Sequence, residues 1–350
     1  MSHPILFIGF LLFITASMGQ NIDIRLIFDR SFKVPNASIR AIETDGEQGL
    51  WFAASNGQYG FIDKEKMLFD SISHEGQVPN FRSLAVNGDH AYLLSIENPA
   101  LLFRVDKPSG KSEAKLVYRE DHPDVFYDSM TFLNRKDGVA MGDPTEGCLS
   151  ILLTRDGGSS WRRIPCAELP ETIEGEVGFA ASDTNIATQG EYIWIATGGS
   201  SSRIWRSTDK GVHWEVFETP IVQGKKMTGI YSLDFSSASE GIIMGGNWER
   251  KDDFTRTKAL SRDGGETWQL IADKMMPGYI SCVQYVPETE GKEIMAVSTE
   301  GIYYSIDHGQ NWMKLSEEGF FSLRFETRNS AWLSRQNEIV HLTIDRSEDK

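Results

Sequence analysis

The sequence predicts an all-β protein, a seven-bladed β-propeller built from four-stranded antiparallel blades. Two observations lead to this prediction. A short turn motif occurs four times with the same internal spacing, and β-rich segments recur around it with a period of about 50 residues. With 350 residues and a hydrophobic content of 40%, the chain is long enough to form a ring of packed sheets.

The turn motif has the pattern Ser/Thr-x-Asp-x-Gly-x-x-Trp. Its Asp side chain can accept hydrogen bonds from backbone amides a few residues ahead, and its Gly adopts the positive φ that a tight turn needs. The Trp begins the returning strand, where its ring can pack against a neighbouring sheet. Each copy is therefore predicted to be the tip of a β-hairpin. The Asp and Trp of each copy are predicted to have a structural role. In chain order they are Asp156 and Trp161, Asp209 and Trp214, Asp263 and Trp268, and Asp307 and Trp312.

Two further strands precede each hairpin, so each unit has four strands. These earlier strands are predicted at 127–133 and 138–141, 184–188 and 192–197, 230–235 and 241–245, and 280–286 and 293–298. Two degenerate units without the motif, Ser38–Ser73 and Phe81–Tyr118, come before them.

The C-terminal segment has room for only three strands, Phe321–Phe325, Ala331–Ser334 and Ile339–Ile344. An unassigned strand at the other end of the chain, Ile22–Phe28, is predicted to complete this last blade and so remove an open sheet edge. Counted in this way the ring has seven blades. Six and eight blades are the alternatives, because the first two units show only weak alternation of apolar and polar residues.

The four motifs resemble the Asp-box (BNR) repeats of sialidases, sortilin-type receptors and the photosystem II stability/assembly factor family. Overall the chain is similar to exported bacterial propellers with BNR-like or WD-repeat-like sequences. This resemblance implies a propeller fold and no settled activity, and it implies a scaffold role for the motifs. It rests on further segments that begin at Tyr127, Gly142, Phe179, Gly198, Gly229, Gly245 and Pro277.

Residues Met1–Gly19 have the features of a secretory signal peptide. A short apolar segment is followed by Ser17 and Gly19, which place small residues at the cleavage positions before Gln20. We therefore expect an exported protein, periplasmic or extracellular, whose mature part, residues 20–350, is a single domain. An uncleaved anchor is the alternative, because the segment lacks Lys and Arg.

The chain contains three cysteines. Cys148 and Cys166 flank one predicted hairpin at equal distances from its turn, so a disulfide between them is one expectation and two buried thiols are the other. Cys282 lies in an apolar strand and is expected to be a small core residue.

The net charge of −15 argues against a nucleic-acid surface and against docking on anionic lipid. We expect a monomer that binds no cofactor and no metal and does not insert into a membrane once the signal is removed. A nucleophile elbow, a zinc-protease helix and a phosphate-binding loop are all missing from the sequence. The arginine triad of a sialidase cannot be assembled either, since only Arg25 and Arg40 lie near the expected position.

A ligand-binding funnel is predicted on the face opposite the Asp-box hairpins, because loops that lead into inner strands and loops that leave second strands converge there. Its predicted residues are Asp128, Asp143, Glu176, Arg203, Asn247, Arg250 and Tyr279. Tight packing of Gly-rich strand ends around a narrow channel is the alternative explanation of this pattern.

Two functions are compatible with these features. The first is a non-catalytic, secreted or periplasmic module that binds a peptide, a glycan or a protein partner in the funnel. The alternative is a degenerate glycoside hydrolase or lyase of sialidase-like architecture. Its candidate acid/base residues are Asp143, Glu176 and Arg203.

Overall fold

The computed structural model describes residues 22–47, 49–107 and 114–348. Within these ranges it contains 28 β-strands and one short 3-10 helix, Cys166–Glu168. The predicted signal peptide, residues 1–19, lies outside the described residues.

The strands before the first Asp-box motif form two sets. The first set is β1 (Ile22–Thr44), β2 (Gly49–Ala54), β3 (Gln58–Asp63) and β4 (Lys66–Ser71). The second set is β5 (Phe81–Asn87), β6 (His90–Ser95), β7 (Ala100–Asp106) and β8 (Lys115–Glu120). They correspond to the two degenerate units of the sequence.

The central strands are as follows: β9 (Tyr127–Phe132), β10 (Gly138–Thr145), β11 (Cys148–Thr154), β12 (Arg162–Arg163), β13 (Glu176–Val177), β14 (Ile186–Gln189), β15 (Tyr192–Ala196), β16 (Gly198–Gly199), β17 (Arg203–Ser207) and β18 (Glu215–Glu218).

The remaining strands are as follows: β19 (Thr228–Phe235), β20 (Gly241–Asn247), β21 (Lys258–Ser261), β22 (Gln269–Leu270), β23 (Cys282–Tyr285), β24 (Ile294–Ser298), β25 (Gly301–Ser305), β26 (Met313–Ser316), β27 (Ser322–Thr327) and β28 (Ser330–Glu348).

The described strands form six antiparallel hydrogen-bonded sheets. Four sheets have four strands, in the orders β5-β6-β7-β8, β12-β11-β10-β9, β14-β15-β17-β18 and β23-β24-β25-β26. The other two have six strands, in the orders β27-β28-β1-β2-β3-β4 and β13-β16-β19-β20-β21-β22. The innermost strands β1, β5, β9, β14, β19, β23 and β27 contact one another in this order, and β27 contacts β1.

The prediction of seven separate four-stranded blades, closed by a separate N-terminal strand, is wrong, because the first and last groups of strands belong to one sheet. The predicted strand Ile22–Phe28 is only the beginning of β1, which pairs with β28 up to Ser38 and with β2 from Ile39 onward. Asn36 and Asn337 adopt positive φ and shift the register of these strands without ending them. The backbone amide of Ala37 donates to Asn337 Oδ1 at 2.9 Å, which joins the two irregular positions.

The four turn motifs follow the third strands β11, β17, β21 and β25 and form the turns to the fourth strands. In the second copy, Asp209 Oδ1 accepts the backbone N–H of His213 at 2.9 Å, and Ser207 Oγ accepts that of Gly211 at 2.8 Å. Although burial alone would raise it, the pKa of Asp209 is lowered to about 2, because the His213 backbone and ring and the Ser207 hydroxyl stabilise the carboxylate.

Two side chains, one just before β14 and one in β19, accept hydrogen bonds from the backbone amides of neighbouring inner strands. The carboxyl group of Asp183 accepts the backbone amides of Leu84 in β5 and Met130 in β9, at 2.8 and 3.0 Å. Ser232 Oγ in β19 accepts the amide of Val283 in β23 at 2.9 Å. The apolar core lies between the faces of adjacent sheets, and these polar links fix the sheets relative to one another.

Candidate functional site

A cavity of about 680 Å³ opens between the loops that lead into inner strands and the loops that leave second strands. This is the face opposite the Asp-box turns. Its wall combines aromatic and apolar side chains with six charged ones. The lining residues used below are Arg40, Arg82, Phe126, Asp128, Asp143, Val177, Gly178, Phe179, Lys225, Lys226, Met227, Tyr231, Trp248 and Tyr279.

Three aromatic rings form one side of the cavity. Phe179 stacks on Tyr231 with ring centroids 3.9 Å apart and an interplanar angle of 5°, and Tyr279 meets Tyr231 edge-on at 4.8 Å. The hydroxyl of Tyr231 donates to the carbonyl oxygen of Met227 at 3.1 Å. Burial raises the pKa of both tyrosines, so their hydroxyls stay protonated at neutral pH. The result is a rigid apolar surface suited to an aromatic or aliphatic group.

Two arginines lie side by side on the adjoining wall. Arg40 Nη1 donates to the carbonyl oxygen of Ala181 at 3.0 Å, and Arg82 Nη1 donates to that of Ala180 at 2.9 Å. Arg40 also lies 4.0 Å above the ring of Phe321. The Nε atoms of both arginines are buried without a hydrogen-bond partner.

None of the four cations of the cavity, Arg40, Arg82, Lys225 and Lys226, forms an ion pair with a described carboxylate. Burial, and then the charge of Arg40, lowers the pKa of Arg82 to about 10, so it stays cationic at neutral pH. Ion pairs do form just outside the cavity, where Arg250 pairs with Asp253 at 3.7 Å.

Two carboxyl groups line the same cavity from strands β9 and β10. Asp128 is fully buried, and neither of its carboxyl oxygens makes a hydrogen bond of normal geometry. Burial, and then the charge of Asp143, raises the pKa of Asp128 well above its usual value; Arg82 and the Ala180 amide oppose this only in part. The protonated form of Asp128 is therefore favoured relative to an exposed carboxyl group.

Asp143 is half-buried, and its Oδ1 accepts the backbone N–H of Gly178 at 2.7 Å. Burial raises the pKa of Asp143 to about 6 against the opposing effect of this hydrogen bond. Asp143 is therefore mostly ionised at neutral pH.

Glu176 and Arg203, two of the predicted funnel residues, bind each other behind the cavity wall and do not line the cavity. Both are buried, and Arg203 donates to the Glu176 carboxylate through Nε, at 3.2 Å, and through Nη2. Glu176 Oε1 also accepts the hydroxyl of Thr197 at 2.7 Å and the indole N–H of Trp205 at 3.0 Å. This satisfied network positions the loop that precedes Gly178.

Asn247 and Arg250 do not line the cavity either. Asn247 is buried at the end of β20, where its Oδ1 accepts the backbone amide of Glu249 at 2.9 Å. Arg250 points to solvent and pairs with Asp253. Trp248, which directly follows Asn247, lines the cavity mouth with 46% of its surface exposed. Of the predicted funnel residues, Asp128, Asp143 and Tyr279 are brought together in the cavity.

Sequence reasoning missed Arg82, Phe179, Tyr231, Trp248, Lys225 and Lys226 as lining residues. Phe179 and Tyr231 belong to segments on which the family resemblance was based. An available signal was the presence of an aromatic residue near the beginning of several inner strands.

A disulfide joins Cys148 to Cys166, with their Cα atoms 5.5 Å apart. Beyond it, the backbone amide and hydroxyl of Thr172 donate to the carbonyl oxygen of Gly147 at 3.2 and 2.9 Å. The bridge and these bonds attach the loop before β13 to the β10–β11 hairpin. Cys282 is a buried free thiol, and burial raises its pKa.

Across residues 22–47, 49–107 and 114–348, no three His, Cys, Asp or Glu side chains are placed to hold a metal ion. Over the same ranges, no helix has the length and apolar character needed to cross a bilayer.

No family model and no curated protein matches the chain, but several solved structures do. A structure described as YCF48 bound to D1 peptide has a TM-score of 0.65 at 12% identity, covering 90% of this chain and 97% of that one. YCF48 from Cyanidioschyzon merolae has a TM-score of 0.60 at 12% identity, covering 89% and 98%.

A catalytically inactive variant of virginiamycin B lyase from Staphylococcus aureus, with quinupristin, has a TM-score of 0.64 at 12% identity, covering 92% of this chain and 99% of that one. At such identities the likeness establishes the fold alone. The β-propeller architecture predicted from the sequence is therefore confirmed, with six sheets.

Proposed function

We propose that this protein is a non-catalytic binding and assembly module, exported from the cell, that captures a segment of a partner protein in the cavity. The segment carries an acidic group for the cations and an apolar or aromatic side chain for the stacked rings. Export rests on the features of residues 1–19 alone.

The observation that carries this proposal is the set of four unpaired cations around one aromatic-lined cavity, in a chain whose net charge is −15. Buried or half-buried arginines normally have an acidic partner, because an uncompensated charge is costly to desolvate. Among the described residues, the hydrogen-bond acceptor of each of Arg40 and Arg82 is one backbone carbonyl, and neither has an acidic partner. A ligand carboxylate would supply the missing partner and could accept a bidentate hydrogen bond from a guanidinium group.

A peptide is favoured over a glycan for two reasons. The stacked Phe179 and Tyr231 rings offer an apolar pocket beside the cations, which suits neighbouring acidic and apolar side chains of one chain. The similar propeller YCF48 is described with a bound D1 peptide, which supports the same ligand class here.

The test is selection from a displayed peptide library, followed by affinity measurements on the selected peptides. We expect enrichment of Asp or Glu beside apolar or aromatic residues. Replacing the exposed Lys225 and Lys226 by Gln should weaken binding about fivefold, since each exposed charge contributes about 0.5 kcal/mol.

The matched control replaces two exposed lysines elsewhere, Lys66 and Lys136, by Gln, and it should bind as the unaltered protein does. Equal loss in both double variants, or selected peptides without acidic residues, would contradict the proposal.

A lyase or glycoside hydrolase is the second candidate, and the adjacent Asp128 and Asp143 in the cavity favour it. Virginiamycin B lyase shares the fold. Against it, the carboxyl oxygens of Asp128 are inaccessible, so this acid cannot touch a substrate in the observed arrangement. Turnover of a cyclic peptide or polysaccharide substrate that disappears in Asp143→Asn would favour this candidate.

A further inference from the structure

The carboxyl pair of Asp128 and Asp143 has no function in the binding scheme above, and it faces the same space as the four cations. We infer that Asp143 is the specificity-determining residue of the cavity: its carboxylate disfavours an anionic ligand, and its protonated form admits one. This inference rests on the proposed function, because it concerns the ligand of the same cavity.

The packing around Asp143 identifies the groups that could influence it. From β9 comes Asp128, and from the loop after β13 comes the backbone amide of Gly178. Glu176 in β13 also packs against β10, but its carboxylate is held by Arg203 on the far side of the wall. Asp143 therefore has a neighbouring carboxyl group and no ion-pair partner among the described residues.

None of the four cations of the cavity forms an ion pair with Asp143 among the described residues. Arg82 in β5 interacts with Asp128, and its other charged neighbours are Arg40 and Glu97. Lys225 and Lys226 lie at the exposed mouth of the cavity. The local charge that a ligand meets therefore depends on whether Asp143 is ionised.

The direction of the pH effect follows from the protonation of Asp143. At neutral pH Asp143 is mostly ionised, and as the pH falls through about 6 it takes up a proton from solvent. An anionic ligand should bind more tightly below this pH, because repulsion from Asp143 is removed.

The experiment uses benzoate, which has an aromatic ring and a carboxylate, and benzamide as its uncharged analogue. Calorimetric affinities are measured at about pH 5.5 and about pH 8. If bound benzoate shifts the pKa of Asp143 by one unit, its affinity changes about tenfold across the titration. We expect this gain for benzoate at the lower pH and no change for benzamide.

The variant Asp143→Asn should bind benzoate at about pH 8 as tightly as the unaltered protein does at about pH 5.5, with no pH dependence. Asp63→Asn, at an exposed position in β3, is the matched control and should keep the pH dependence. A pH-dependent affinity retained in Asp143→Asn, or benzoate affinity that is flat or absent in the unaltered protein, would overturn the inference.

Thermal unfolding provides a readout that needs no ligand. A carboxyl group with a raised pKa in the folded state stabilises the fold below its unfolded pKa, and this contribution is lost as the pH rises through about 6. Asp143→Asn should therefore gain thermal stability relative to the unaltered protein at about pH 8 and lose this advantage near pH 4.

An unchanged pH profile of unfolding in Asp143→Asn would also overturn the inference. The peptide-capture test is carried out at a single pH and compares the double variant of Lys225 and Lys226 with its control. None of the outcomes above decides that test. Failure of the inference and failure of the proposed function can therefore be told apart.

Discussion

Gly178 allows the backbone of the cavity wall to lie directly against the carboxyl group of Asp128. A Cβ atom at this position would lie 2.4 Å from Asp128 Oδ2 and 3.2 Å from the terminal methyl of Met141. The same backbone unit donates its N–H to Asp143. One residue without a side chain thus brings both carboxyl groups to the same wall.

Gly178→Ala should therefore destabilise the protein by about 1–3 kcal/mol through overpacking, measured by urea denaturation. In an Asp128→Ala background the added methyl group has room, so the same substitution should cost less. Equal costs in the two backgrounds would show that the Asp128 contact is not the source of the strain.

At the scale of elements, the loop between the Cys166–Glu168 helix and β13 leads into the segment 177–181, all five residues of which line the cavity. This loop is held at one end by the disulfide from Cys148 and at the other by the buried pair of Glu176 and Arg203. Between them, Thr172 is hydrogen-bonded to Gly147. The part of the cavity wall formed by 177–181 is therefore preceded by a tethered loop.

Removing the bridge in a Cys148→Ser/Cys166→Ser variant should lower the free energy of unfolding by about 3 kcal/mol, a typical value for a closed loop of similar length. It should also weaken capture of a selected peptide, because Val177 and Gly178 lose one of their tethers. Guanidinium denaturation and calorimetry measure the two effects. The unaltered protein with reductant should behave like the variant, and a variant as stable as the oxidised protein would contradict the role assigned to the loop.

The sequence did not reveal to which side each residue of the short strand β13 points. Neighbouring residues of a strand point to opposite sides, so Glu176 faces the interior while Val177 faces the cavity. A strand of two residues has no periodicity from which its inward and outward faces could be assigned. The same holds at the end of β20, where the predicted residue Asn247 is buried and the next residue, Trp248, lines the cavity.

At the scale of the whole molecule, charge is distributed unevenly. The chain has 50 acidic and 35 basic residues, yet the described lining of the cavity has four cations and two carboxyl groups. The excess of acidic residues therefore lies elsewhere. Such a distribution can guide an anionic segment toward the cavity and keep other acidic surfaces away.

The repeated motifs were enough to predict the propeller, because each one fixes a hairpin through purely local hydrogen bonds such as that of Asp209 with His213. The number of sheets, by contrast, does not follow from local sequence patterns. It depends on whether β1 and β28 continue past Asn36 and Asn337, and both residues can end a strand or bend it. The unpaired state of Arg82 could not be predicted either, since it is set by contacts with the distant Ala180.

A crystal structure of the protein with its tightest selected peptide would show whether the cavity is the binding site. We expect an acidic group of the peptide to accept hydrogen bonds from Arg82 or Arg40, with an apolar side chain against Phe179 and Tyr231. A peptide bound at the Asp-box turns or along an outer strand, with the two arginines still unpaired, would contradict this expectation.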